Sequence, residues 1–170
     1  FKGKAFLLSF LLVTQMFPAV MKIIPYYKIL VSVHLNNTQI GLMVVYASFS
    51  IPFCTWMMYG YFKSISTGLD EAARVDGSSA FNTFLKIILP IALPGLVATI
   101  IYAFLQNWNE YMFASVLMSA DEKKTITYAI STMADAYKIQ WNYLMCAAMI
   151  SSVPTLTVFV VMQKYLIAGM

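Results

Sequence analysis

Residues 107–111, Asn107-Trp108-Asn109-Glu110-Tyr111, gather two amides, a carboxylate and two aromatic rings in one short run. Such groups suit a polyhydroxylated solute: flat Trp and Tyr faces cover sugar C–H surfaces while amides and carboxylates bond hydroxyls. Glu110, an ionisable group near membrane depth, is a functional candidate by default. The alternative is an interfacial aromatic belt with Glu110 in water. Gln15, within an apolar run, is a second polar candidate for the same path, and can equally bond across to another helix. A separate set, Glu71, Arg74 and Asp76 around Ala72, Ala73 and Gly77, suits directional ion pairs with another protein.

Covalent chemistry has no such candidate. No nucleophile–base or metal-ligand constellation is visible, and no G-x-x-x-x-G-K-[ST] loop could hold a nucleotide. Cys54 and Cys146 lie in apolar runs without CxxC spacing and read as small packing residues. His34 has no partner motif. The chain is therefore expected to be no enzyme and to bind no cofactor of its own.

The elements that must position these groups are membrane helices. The chain is 61% hydrophobic and only 11% charged, with a mean hydropathy of +0.74. A soluble domain carries about 25% charged residues. The net charge of +4 is spread as single flanks of apolar runs, which argues for membrane-edge anchoring and against nucleic acid. A spanning helix needs about 20 apolar residues. Uncharged stretches predict four spans, at 5–21, 34–62, 87–109 and 139–163, in an all-α polytopic membrane protein. Lys4 and Lys22 can snorkel from the short first one. Polar connectors are expected at 26–39, 63–86 and 119–138, with the first and third on the side opposite the second. Basic residues divide six to five between the two sides, so charge does not orient the chain.

The middle connector has its own order. Thr67 with Asp70 reads as a helix N-cap, Gly77 as a C-terminal break, and Ser78 or Ser79 as the cap of a second helix with Phe81, Phe84, Leu85 and Ile88 on one face. Glu71 and Arg74 are expected side by side. Small Ala72 and Ala73 allow close approach of a partner, and Pro90 and Pro94 kink or start the next span.

Glu71-Ala72-Ala73, three residues, Gly77, nine residues, then Ile87-x-Leu89-Pro90 meets every defined position of the EAA signature. The chain thereby resembles the permease subunits of ABC importers. Gln15-Met16-Phe17-Pro18, Trp108-Asn109-Glu110 and Tyr165-Leu166-Ile167 extend the likeness to the sugar-importer branch, in particular the smaller maltose-type (MalG-like) subunit. The resemblance implies one transmembrane permease domain over residues 1–170, part of a six-helix type I fold. On that plan the chain is expected to begin at the third helix and to end before the cytoplasmic tail.

It further implies that residues 67–88 are a cytoplasmic coupling segment docked on an ATPase that carries the ATP and Mg, with Glu71, Ala72, Ala73, Arg74, Asp76, Gly77 and Phe81 at the contact. A second permease subunit, forming a heterodimer, and an extracellular solute-binding protein are the other implied partners. Tyr137, Lys138, Gln140 and Trp141 would meet the binding protein, although Trp141 is equally an interface anchor. The implied setting is a bacterial or archaeal cell membrane and the implied cargo a sugar. The alternatives are an amino acid or other polar solute as cargo, or a channel or anchor that needs no ATPase.

Overall fold

The computed structural model describes residues 2–134 and 139–167, and these are almost wholly helical. Helices α1 (Lys4–Gln15) and α2 (Ala19–Ser32) meet at 99°. This corrects the expectation of an unbroken span over 5–21. Pro18 stands extended at the head of α2 (φ −53°, ψ 136°) and has no N–H, so the Thr14 carbonyl loses its i+4 donor. Lys22 Nζ takes that carbonyl instead, at 3.4 Å.

The polar connector expected over 26–39 is corrected too, because α2 continues to Ser32. Ile23, Tyr26 and Leu30 recur at helical spacing and pack into the core, while Lys28 on the opposite face is exposed. The Tyr26 hydroxyl also bonds Ser48 Oγ at 2.7 Å. A boundary set by charge at Lys22 ignores this stripe. The turn that remains uses left-handed backbone at His34 and Asn37 (φ 57° and 55°).

Helix α3 (Gln39–Ser64) has 26 residues and rises ~39 Å. Thr38 caps it, Oγ1 accepting from the Gly41 N–H at 3.0 Å. Its far end leads into α4 (Gly68–Val75), α5 (Ala80–Thr83), a π-turn at Phe84–Ile88 and α6 (Leu89–Ile91). The chain then bends by 70° into α7 (Leu93–Trp108), as the two prolines predict. Short α8 (Met112–Leu117) and α9 (Ile126–Thr132) precede α10 (Trp141–Ile167).

Asn37 Oδ1 accepts from the backbone N–H of Ser119 and Ala120 at 3.0 and 3.1 Å. The first and third connectors therefore share one end of α3, and the 67–88 segment lies at the other, as the alternating topology requires. Helices α3 and α10 are each long and apolar enough to span a bilayer, and counting each bent pair as one span gives four.

The core is small. Leu30, Leu42, Val45, Phe113, Ala114, Leu117 and Met118 join α2, α3 and α8. No residue in the most apolar stretch of α10 is buried, and water would not tolerate so large an apolar face. Lipid or a neighbouring helix must cover it.

At the bend, α7 approaches α3 at Gly95, where an added Cβ would clash with the Tyr61 ring. Gly95→Ala is expected to cost about 1–3 kcal/mol by overpacking, read as a lower midpoint of thermal unfolding in detergent. In a Tyr61→Ala background the same change should cost nothing, and an equal loss in both backgrounds would contradict this contact.

Candidate functional site: a polar cavity and an exposed helix pair

Two regions carry the chemistry. The first is the α4–α5 connector. Gly77 takes φ +77°, and the N–H groups of Gly77 and Ser78 bond the carbonyls of Arg74 and Ala73 at 3.0 and 2.9 Å. That pairing satisfies the last carbonyls of α4 and needs a left-handed residue, which favours glycine. Ser79, of the two serines expected, caps α5 through Oγ and the Asn82 N–H at 3.3 Å.

Thr67, expected to cap α4, makes no side-chain cap; it is already helical (φ −64°, ψ −23°), and its carbonyl accepts from Asp70 and Glu71. Arg74 pairs with Asp70 at 2.9 Å rather than with Glu71, because the i,i+4 spacing brings those two side chains over one another. Glu71 is left exposed, with no ion pair among the described residues. Ala73 is buried against its own chain and turned away from any partner; its small side chain lets α4 pack on α5. Ala72, Arg74, Asp76 and Gly77 remain exposed. Val75 at 87% and Phe81 at 71% accessible add an apolar element. Val75 is not among the contact residues that the resemblance implies.

The second region is a cavity of about 580 Å³ between the α1–α2 break and the α7–α8 junction. Its polar lining is Gln15, Lys22, Gln106, Asn109 and Glu110, set among Phe17, Phe49, Tyr111 and Phe113. Gln15 Nε2 donates to the Phe49 carbonyl at 3.0 Å, fastening α1 to α3. Asn109 Nδ2 donates to Leu105 O at 2.9 Å and Gln106 Nε2 to Tyr102 at 3.2 Å. Among the described residues nothing donates to the side-chain oxygens of Gln15, Gln106 and Asn109, so the wall offers acceptors beside aromatic faces.

Glu110 is differently engaged. Its carboxylate accepts from Tyr46 Oη at 2.8 Å and from the N–H groups of Phe113 and Ala114 at 2.8 and 3.1 Å. Its carbonyl accepts from Thr127 Oγ1 at 2.7 Å. It is the cap that starts α8 and the knot between α3 and α9, bordering the cavity without being free in it. Nor is it simply an interfacial carboxylate in water.

The residues of the 107–111 run thus divide. Asn109, Glu110 and Tyr111 line the cavity together with Gln15. Asn107 instead bonds Ser50 Oγ at 3.1 Å and Ala103 O at 2.7 Å, pinning α7 to α3. Trp108 Nε1 donates to Ser151 O at 3.1 Å, pinning α7 to α10. Neither borders this cavity.

The family described as binding-protein-dependent transport system inner membrane component matches residues 1–170. The chain belongs to that family. Similar members include a probable ABC transporter permease of Bacillus subtilis, YurM, 37% identical over 99% of this chain and 56% of the relative. The trehalose/maltose transport system permease MalG of Thermococcus litoralis is 30% identical over 100% of this chain and 62% of the relative. Among solved structures, a bacterial ABC transporter involved in import of the acidic polysaccharide alginate superimposes with TM-score 0.76 at 26% identity. That match covers 97% of this chain and 62% of the other. The chain thus spans about three-fifths of the length of these proteins.

The cavity and the exposed helix pair are both open to the surroundings of the chain. Sequence reasoning missed Lys22, Phe49 and Gln106 as cavity residues; Gln106, an amide deep in an apolar run, was the signal for the last. Tyr137 and Lys138 lie outside the described residues, while Gln140 and Trp141 are exposed at the head of α10.

Removing the Glu110 carboxylate strands a hydroxyl and two backbone donors. Glu110→Ala should cost about 2–3 kcal/mol of stability in detergent, Tyr46→Phe about 1 kcal/mol, and their combination less than the sum. Full additivity in that double-mutant cycle would contradict the bond.

Proposed function

We propose that this chain is the membrane-spanning, non-catalytic permease subunit of an ATP-driven ABC importer for a sugar or oligosaccharide. The single observation that carries the reading is the family match along the whole chain. The helix pair joined at Gly77 supports it by its position and its exposure. It projects from the end of α3 opposite the Asn37 loops. A short capped helix transmits a partner's displacement as a lever, and an unstructured loop would absorb it.

In this reading Glu71, Ala72, Arg74, Asp76 and Phe81 meet a cleft on an ATPase subunit that holds the ATP and Mg. The buried Ala73 and left-handed Gly77 shape that helix from within. Closure of two ATPases draws the segments of two permease subunits, forming a heterodimer, together and switches the cavity between outward and inward access. The opposite end, with Gln140 and Trp141, faces a solute-binding protein. The protein is then a multi-pass component of the bacterial or archaeal inner membrane.

Cargo class follows from the cavity and the relatives. Free amide oxygens among Phe and Tyr rings suit hydroxyl donors and C–H faces. Relatives named for trehalose/maltose and diacetylchitobiose uptake, and the alginate transporter, are consistent with a glycan.

Glu71→Lys reverses the exposed charge, and Gly77→Pro forbids φ +77° and deletes the bond to Arg74 O. Each is expected to lower cargo-stimulated ATP hydrolysis about ten-fold or more while the subunit still inserts and co-assembles in the membrane. Unchanged stimulation in both would overturn the coupling role.

A further inference from the structure

Lys22 and Glu110 are the charged side chains in the cavity wall. The carboxylate is committed: a tyrosine hydroxyl and two backbone N–H groups occupy its oxygens. The ammonium is not. It has three donors, and its bond within the chain is the 3.4 Å contact to Thr14 O. Among the described residues no carboxylate forms an ion pair with it; the ion pair present is Arg74–Asp70, on the coupling segment. A half-buried cation held within a membrane protein calls for compensation, and here the chain supplies only one weak acceptor. The Pro18 break explains why the side chain is held in place, since it covers the carbonyl that Pro18 leaves without a donor. It leaves two N–H groups free.

We propose that Lys22 is a specificity-determining residue that selects cargo bearing an anionic oxygen group, a carboxylate or a phosphate ester, over a neutral glycan of the same length. The proposal rests on the importer reading and narrows its substrate class. Glycan hydroxyls meet the free oxygens of Gln15, Gln106 and Asn109, and the anionic substituent meets Lys22 Nζ in a charge-assisted bond. The Glu110 oxygens are held by three donors, and among the described residues they form no ion pair with Lys22. An Arg at position 22 would keep the selection, and a Gln would keep only neutral hydrogen bonding.

The test is calorimetric binding of three probes to the assembled transporter in nanodiscs: maltotriose, tri-galacturonate and a maltotriose phosphate. The wild type should bind one or both anionic probes about ten-fold more tightly than maltotriose, and which one identifies the group. Lys22→Gln should abolish that difference while the variant still binds maltotriose, and Lys22→Arg should retain it. Equal affinity for all probes in the wild type, or a preference that survives Lys22→Gln, would overturn the inference and leave the importer reading intact. Loss of maltotriose binding as well in Lys22→Gln would make Lys22 a brace for the helix break and also overturn it. Failure of the wild type to bind any probe would instead contradict the glycan reading beneath it.

Discussion

The structure depends on satisfying backbone groups that broken helices leave open in a medium without water. Lipid offers no hydrogen-bond partner, so each break must be closed by the protein itself. Prolines create the breaks at residue 18 and around residues 90–94, and side chains repair the exposed ends. Lys22 covers the Thr14 carbonyl. Glu110 accepts the first free N–H groups of α8 and takes the Tyr46 hydroxyl with the same carboxylate. The polar groups at membrane depth exist first because the chain bends there.

That origin gives the cavity its place. Space opens where α1 turns sharply into α2, facing the junction at which α7 gives way to α8. Residues recruited to close the breaks then become its lining. The same two elements, α3 and α7, run from this cavity to the helix pair that Gly77 joins. They are pinned to each other by Ser50 and Asn107 and closely packed at Gly95. A displacement of α4 and α5 therefore reaches the cavity wall through packed helices.

The legible parts were local in sequence. Gly77 as a helix stop, Ser79 as a cap and Pro90 with Pro94 as a bend each follow from one residue's backbone chemistry. The family resemblance, too, rested on contiguous spacing. The rest needed contacts between distant residues. Nothing near Glu110 announces that Tyr46, 64 positions earlier, supplies its hydroxyl donor. Trp108 and Asn107 look like ligand groups in sequence, yet Ser151 and Ser50 claim them. The first span departs from one continuous helix because Pro18 interrupts its uncharged run, and the direction of the resulting bend depends on distant contacts. Ala73 shows the same limit on a smaller scale: the motif gives its spacing, while packing decides which of two adjacent alanines faces inward.

The central claim is that the α4–α5 end, and not the Asn37 end, is gripped by an ATPase. Site-directed cross-linking in the assembled transporter tests it directly, with Cys54 and Cys146 first replaced by serine. A cysteine introduced by Val75→Cys, at a position 87% accessible here, should cross-link to the ATPase subunit, and one introduced by Val33→Cys should not. Cross-linking from Val33→Cys with none from Val75→Cys would contradict the account.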